Sequence, residues 1–295
     1  MQYLFLLDDQ ARTLKISPGT EVFPGGGDEE CRPVQVRQLD AHTMGILKSL
    51  TEAETAAGTC ASSHEAQNAL VDEVRRKTAQ IETMQDALIS SMAELVDVRH
   101  GETGGHVHRT AGYLEILARA MLRRRVYPEE LSDEMVSQMI RSAPLHDIGK
   151  IGIPDSTLLK RGSLDEQERE YMKLHTTLGA RAISSAIERT GGGDFLYAAR
   201  DMAHYHHEWW NGQGYPDGIS GADIPLCARI IAVADVYDAL TSDRAYHKRL
   251  EHREAVAIIL NARGTQFDPR VADVFAQVSQ AFKAAAQHYH GREDV

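Results

Sequence analysis

His146 and Asp147 stand side by side in the stretch P-L-H-D-I-G-K-I-G-I-P-D that begins at Pro144. A neutral imidazole nitrogen and an anionic carboxylate offered at one point suit a divalent metal that accepts both donor types. Gly149 frees the backbone to turn, and Lys150 sets a cation one short step from the pair. Pro154 with Asp155 then opens a new segment in the manner of a helix start. Four further patches supply side chains of the same kind. Glu102 and His106 are four apart, the spacing at which two side chains meet on one helical face. His175 closes the segment that opened with the pair, and His206 and His207 are adjacent just before a Gly-rich, Pro-containing loop. Asp235 and Asp238 interrupt the otherwise apolar run R-I-I-A-V-A-D-V-Y-D, where a carboxylate is costly to bury unless it is paired or metal-bound.

Glu102, His106, His146, Asp147, His175, His206, His207 and Asp235 make eight donors. One octahedral ion takes about six, and a catalytic ion keeps positions open, so more than one metal is implied. Two ions roughly 3.5–4 Å apart suit in-line attack on phosphorus. Taken singly, His106 or His175 reads as a hydrogen-bonded structural histidine, and their joint placement points to metal. His108, two residues from His106, belongs on another side of its helix as a surface residue, and His204 stands between site and solvent. His252, His288 and His290 lie in charged or terminal stretches and read as solvated. Asp238, one turn past Asp235, reads as a group that orients or caps, and Trp209 and Trp210 as packing.

Helices must position these residues. From about 64 to 99 there is neither Pro nor Gly, and Val74, Ile81, Leu88 and Leu95 recur every seven residues. Their partners three residues on are Lys77, Met84, Ser91 and Val98, a half-polar second row. This segment is either a linking helix that pairs with a copy of itself or a single helix whose last turns pack on the following domain. Helical patterns recur at about 106–125, 128–143, 165–175, 178–188, 195–205, 228–241, 253–262 and 269–289. Strand-like runs are confined to residues 1–45. The expected fold is therefore mainly α. A small N-terminal β-containing unit, sensory or truncated, fills 1–63, a linking and dimerisation helix 64–99, and an all-helical catalytic domain 100–290.

The 295 residues, 42% hydrophobic and 25% charged, are ordinary for a globular protein with one substantial core and a smaller unit. The formal net charge of −11 argues against a sequence-independent nucleic-acid binder. A small anionic substrate stays compatible if bound cations supply the local positive charge. Cys31, Cys60 and Cys227 are widely spaced and form neither a zinc knot nor a disulfide framework, which fits a reducing cytoplasm. The start M-Q-Y-L-F-L-L-D-D lacks a basic leader and a span-length apolar run, so a soluble, cytoplasmic chain without a membrane span is expected.

Read together, E-T-G-G-H, H-D-I-G-K-I-G-I-P-D, L-L-K-R-G-S-L, the isolated His175, H-H-E-W-W-N-G-Q-G-Y-P and A-R-I-I-A-V-A-D-V-Y-D-A-L-T-S-D-R resemble the bacterial HD-GYP domain. That family is the cyclic di-GMP phosphodiesterase branch of the HD superfamily, and the likeness spans about 99–248. The resemblance implies hydrolysis of cyclic di-GMP to pGpG, and on to GMP, with two or three divalent ions, iron or manganese. It assigns the eight donors above as metal ligands, with Asp147 as bridge and Glu102 tied to a third position. Asp147 and Lys150 become catalytic, while Lys150, Arg244 and Lys248 hold substrate phosphate. Gly214, Tyr215 and Pro216 become the name-giving loop, a contact for diguanylate cyclase partners. Two departures stand out: His247 where Arg or Lys is usual, and Asn211 where Asp is usual. The first keeps open a different class of function, a weakly catalytic cyclic di-GMP receptor or cyclase-binding signalling module.

Overall fold

The structure, a computed structural model, describes residues 60–100, 105–160, 162–243 and 249–293. The proposed N-terminal β unit, Glu102, Arg244, His247 and Lys248 lie outside the described residues. The chain divides into two units between Met84 and Gln85, inside the first helix, α1 (Cys60–His100). In the N-terminal unit the described part of α1 is a solvated helix carrying ion pairs such as Arg76 with Glu73.

Among its described residues the second unit has helices joined by turns and loops, and its one β feature is an isolated bridge between Arg263 and Phe267. It holds the end of α1, then α2 (His106–Arg123), α3 (Asp133–Ser142), α4 (Asp155–Leu158), α5 (Glu166–Thr190), α6 (Asp194–Tyr205), α7 (Leu226–Thr241), α8 (His252–Asn261) and α9 (Pro269–Glu293). Two short 3-10 turns, Ala143–Leu145 and Ile148–Gly152, lie between α3 and α4. Local chemistry sets several ends. Ser132 Oγ accepts from Met135 N and starts α3, and Asp165 with Glu168 forms a reciprocal capping box for α5. Gly191, at φ 77°, ends α5 in the left-handed conformation that costs glycine nothing.

The sequence pattern suggested two helices either side of Thr176 and Thr177, but α5 runs unbroken through both. Their hydroxyls donate to Lys173 O and Leu174 O within the helix, so they bend back onto the backbone rather than end it. The segment expected to be helical from Pro128 starts only at Asp133, because Ser132 takes the cap.

α2 lies at the centre, packed against α3, α7 and α9, while α5 packs on α6 and on the second 3-10 turn. Tyr113, Leu114, Leu117 and Met121 of α2 meet Ile230, Val233 and Tyr237 of α7 and Phe275 and Phe282 of α9. Burying each such side chain contributes roughly 1.5–3 kcal/mol. The apolar character of α7 on all sides fits its burial, which makes its two aspartates conspicuous.

Candidate metal centre

Helix ends and the sides of two helices converge on a single place. His106 opens α2, His146 and Asp147 join the two 3-10 turns, and His175 faces in from the middle of α5. His206 and His207 follow the last turn of α6, and Asp235 projects from α7. Donor atoms of His175, His206 and His207 lie within 4.8 Å of one another, and so do those of His106, His146 and Asp235. Asp147 stands between the two groups. Its Oδ1 is 3.3 Å from His175 Nε2 and 3.7 Å from His206 Nε2, while its Oδ2 is 3.5 Å from His146 Nε2 and 2.6 Å from Lys150 Nζ.

The tautomers follow from what each ring touches. His146 Nδ1 is 2.8 Å from Ala143 O, His175 Nδ1 2.7 Å from Met172 O, and His206 Nδ1 2.8 Å from Met202 O. A carbonyl only accepts, so each Nδ1 donates and each Nε2 of the neutral ring is a bare lone pair. These lone pairs face one another: His175 Nε2 and His206 Nε2 are 3.3 Å apart. His146 Nε2 and Asp147 Oδ1 are buried with no hydrogen-bond partner. Acceptors gathered this closely repel unless a cation lies among them, so the residues present fit divalent metal.

Charge states agree with this. Burial pushes His206 well below the usual imidazole range, lowers His175, and brings His207 to about 4, so all three stay neutral at pH 7. Burial opposes ionisation of Asp147, yet Lys150 and the surrounding histidines outweigh it and hold the carboxyl well below its ordinary value.

Supporting side chains complete the centre, and several carried no sequence signal of their own. His106 Nδ1 donates to Asp238 Oδ2 at 2.7 Å, and Arg109 Nε donates to Asp238 Oδ1 at 2.7 Å. Asp238 thus orients His106 from outside the cluster, and Arg109, three residues on, balances its charge. Glu208 Oε1 accepts from Asp217 N and Gly218 N at 2.7 and 2.9 Å, which folds the loop after the histidine pair; its position beside that pair was the available clue. Asn211 Oδ1 accepts from Gln213 N, so the amide serves this loop.

Within the loop, Tyr215 stacks on His207 with ring centroids 4.8 Å apart, and Pro216 follows through a cis peptide bond. Burial raises the Tyr215 hydroxyl, so it remains a neutral donor. A side chain on Gly214 would stand 2.5 Å from Glu208 Cα and from His207 O, which explains the glycine by close backbone approach.

Other histidines sort by contact. His108 is exposed beside Glu94, and His204 Nε2 pairs with Asp217 at the surface. His252, expected to be solvated, instead has Nδ1 2.9 Å from the hydroxyl of buried Tyr237. Gly149 lies in a turn, as expected, but without a left-handed backbone; its demand is for room against α5, since a Cβ there would overlap the His175 carbonyl oxygen.

A helical bundle closing over two imidazole and carboxylate groups that share one aspartate defines a metal-binding HD-type domain. The HD domain family profile matches residues 90–271. The chain belongs to that family, and its likeness to cyclic di-GMP phosphodiesterases agrees with the HD-GYP branch. A probable cyclic di-GMP phosphodiesterase of Vibrio cholerae is 43% identical over 227 residues, 77% of this chain and 52% of its own. A cyclic di-GMP phosphodiesterase of Thermotoga maritima is 37% identical over 63% of this chain and 47% of its own length. A 3'3'-cGAMP-specific phosphodiesterase of V. cholerae is 35% identical over 64% of this chain and 34% of its own. A solved cyclic GMP-AMP specific phosphodiesterase of V. cholerae overlays with a TM-score of 0.49 at 20% identity, over 70% of this chain and 53% of its own. The chain spans about half the length of the first of these curated relatives.

Proposed function

We propose that this chain hydrolyses cyclic di-GMP to linear pGpG, and onward to GMP, at a centre of two or three divalent ions, iron or manganese. The observation that carries this reading is the inward convergence of bare Nε2 atoms around Asp147. His175, His206 and His207 would hold one ion and His106, His146 and Asp235 another, with Asp147 shared and Glu102 serving a third position. The absence of thiolate from this donor set suits iron or manganese. When bound, the ions supply Lewis acidity, lowering the pKa of water and drawing charge from phosphate oxygens.

The chain's own residues do the rest. The carbonyls of Ala143, Met172 and Met202 fix three rings in the ligating tautomer before any ion arrives, so no reorganisation is needed later. Lys150, only 12% exposed, holds its ammonium against Asp147 and can share it with a phosphate oxygen where negative charge builds. Arg244 and Lys248 would grip the remaining phosphate oxygens, Arg244 through its planar fork. Tyr215 limits the tilt of the His207 ring and leaves a hydroxyl donor near the centre.

In this reading the chain works in the cytoplasm, and none of its described helices is long and apolar enough to cross a membrane. It pairs through 64–99, where Ile81, Leu88 and Leu95 are 50%, 58% and 70% exposed, and it meets a diguanylate cyclase through the Gly214 loop. Sedimentation as a monomer at micromolar concentration would count against the pairing.

The test is to incubate the full chain with manganese or ferrous iron and cyclic di-GMP, with 3'3'-cGAMP alongside, and to resolve products by chromatography. pGpG formation that is lost on chelation and in Asp147→Ala supports the reading. Tight cyclic di-GMP binding without product under either metal refutes it in favour of a receptor.

A further inference from the structure

Arg99 lies in the last turn of α1, where Ala93, Val96 and Asp97 are buried. Its guanidinium crosses to the turn that follows the HD pair. Nη1 donates to Ile151 O at 2.7 Å and to Lys150 O at 3.3 Å, and Nη2 donates to Ile153 O at 3.1 Å and to Asp155 Oδ1 at 2.7 Å. Lys150 O already accepts from Ile153 N at 3.1 Å, but the last carbonyls of a short helical turn find few partners within it, and a rigid planar fork can serve several at once. A lysine ammonium cannot span the same set.

Packing alone does not make this joint. A small apolar cleft of about 140 Å3, lined by Met92, Leu95, Val96, Arg99, Ile148 and Ile151, separates the two segments, and Ile151 is 64% exposed. The polar contacts of Arg99 therefore hold much of what packing leaves open. They also land on a consequential residue: Arg99 holds the carbonyl of Lys150, and the amine of Lys150 lies 2.6 Å from Asp147 Oδ2.

We propose that Arg99 is a positioning residue that ties the end of α1 to the turn bearing Asp147 and Lys150, so that displacement of α1 is passed directly to the metal centre. This names a regulation of the site and rests on the hydrolase reading only for what the site does. Within the second unit the end of α1 exposes Leu88, Met92 and Leu95 and finishes in this clamp, so an event that shifts this helix end also shifts Lys150 and Asp147.

The experiment compares the full chain with Arg99→Ala, Arg99→Gln, Arg99→Lys and Asp155→Ala by hydrogen exchange, manganese calorimetry and steady-state kinetics. In Arg99→Ala, amides of 148–153 exchange about tenfold faster or more while those of α5 and α7 match the parent. Manganese affinity falls about 10–100-fold. Arg99→Lys recovers little, Arg99→Gln lies between, and Asp155→Ala stays near the parent because three carbonyl contacts persist. Parent-like exchange in 148–153, or faster exchange spread evenly over the domain, overturns the proposal, the second by reducing Arg99 to general stability. A parent protein that shows the local exchange pattern yet cleaves no cyclic dinucleotide overturns the hydrolase reading and leaves the coupling standing.

Discussion

Replacing Gly149 by alanine tests whether the HD pair and His175 are brought together by backbone contact between the second 3-10 turn and α5. An alanine Cβ would stand 2.5 Å from Gly179 N and 2.8 Å from the His175 carbonyl carbon, and would overlap the His175 oxygen. Ordinary contact begins near 3.4 Å, so one segment must retreat by well over an ångström. Every obstructing atom belongs to backbone, and no rotamer change can relieve it. Overpacking of this kind costs roughly 1–3 kcal/mol in stability. The functional penalty is larger in proportion, because Asp147 Oδ1 and His175 Nε2, now 3.3 Å apart, separate as the turn moves. An ångström of misplacement costs on the order of 10²-fold in rate. Gly152→Ala is the matched control, since its Cβ meets only the flexible end of Leu178, at 2.8 Å, and should cost less than about 1 kcal/mol. Urea unfolding, manganese calorimetry and hydrolysis of cyclic di-GMP would be measured on both. If Gly149→Ala unfolds within about 0.5 kcal/mol of the parent and binds manganese equally well, the backbone-contact argument is wrong.

Two further outcomes follow from the same geometry. Asp238→Asn removes the carboxylate charge facing Arg109, itself only 3% exposed, and loosens His106. Stability should fall by about 3 kcal/mol in urea unfolding, and Asp238→Ala with Arg109→Met should restore part of it. The metal-free protein should lose stability in acid. The unfolded chain protonates its histidines near 6.5, whereas burial holds His207 at about 4, so the stability present above pH 6.5 is lost as pH falls from 6.5 to about 4. For this one ring, with an edge still open to solvent, the loss is at most about 3 kcal/mol, and His175 and His206 add to it in the same direction. Thermal melts of chelated protein between pH 8 and pH 4 check this. A flat profile would sink the assignment of neutral, buried rings, and His207→Asn should flatten the slope.

Residue type and local pattern were enough to pick out the candidate donors and most of the helices. Imidazoles and carboxylates placed beside a turn or inside an apolar run have few structural uses, so His146, Asp147, His206, His207 and Asp235 could be picked out from residue type and neighbourhood. Helical periodicity is a local property, which is why α6, α7 and α8 begin and end within two residues of expectation. What depends on atoms distant in the chain came from packing. It divided the donors into two groups with Asp147 between them, and it gave Gly149 a reason in the backbone of α5 rather than in its own torsions. It carried α5 straight through His175, where Thr176 and Thr177 looked like a break. Arg99, Arg109 and Glu208 acquired roles only there, since a hydrogen bond spanning up to 129 positions leaves no spacing for periodicity to reveal. Side-chain type announces what chemistry a residue can do; which partner it does it with is settled by packing, because the contacts that orient a ligand come from whichever helix folds against it.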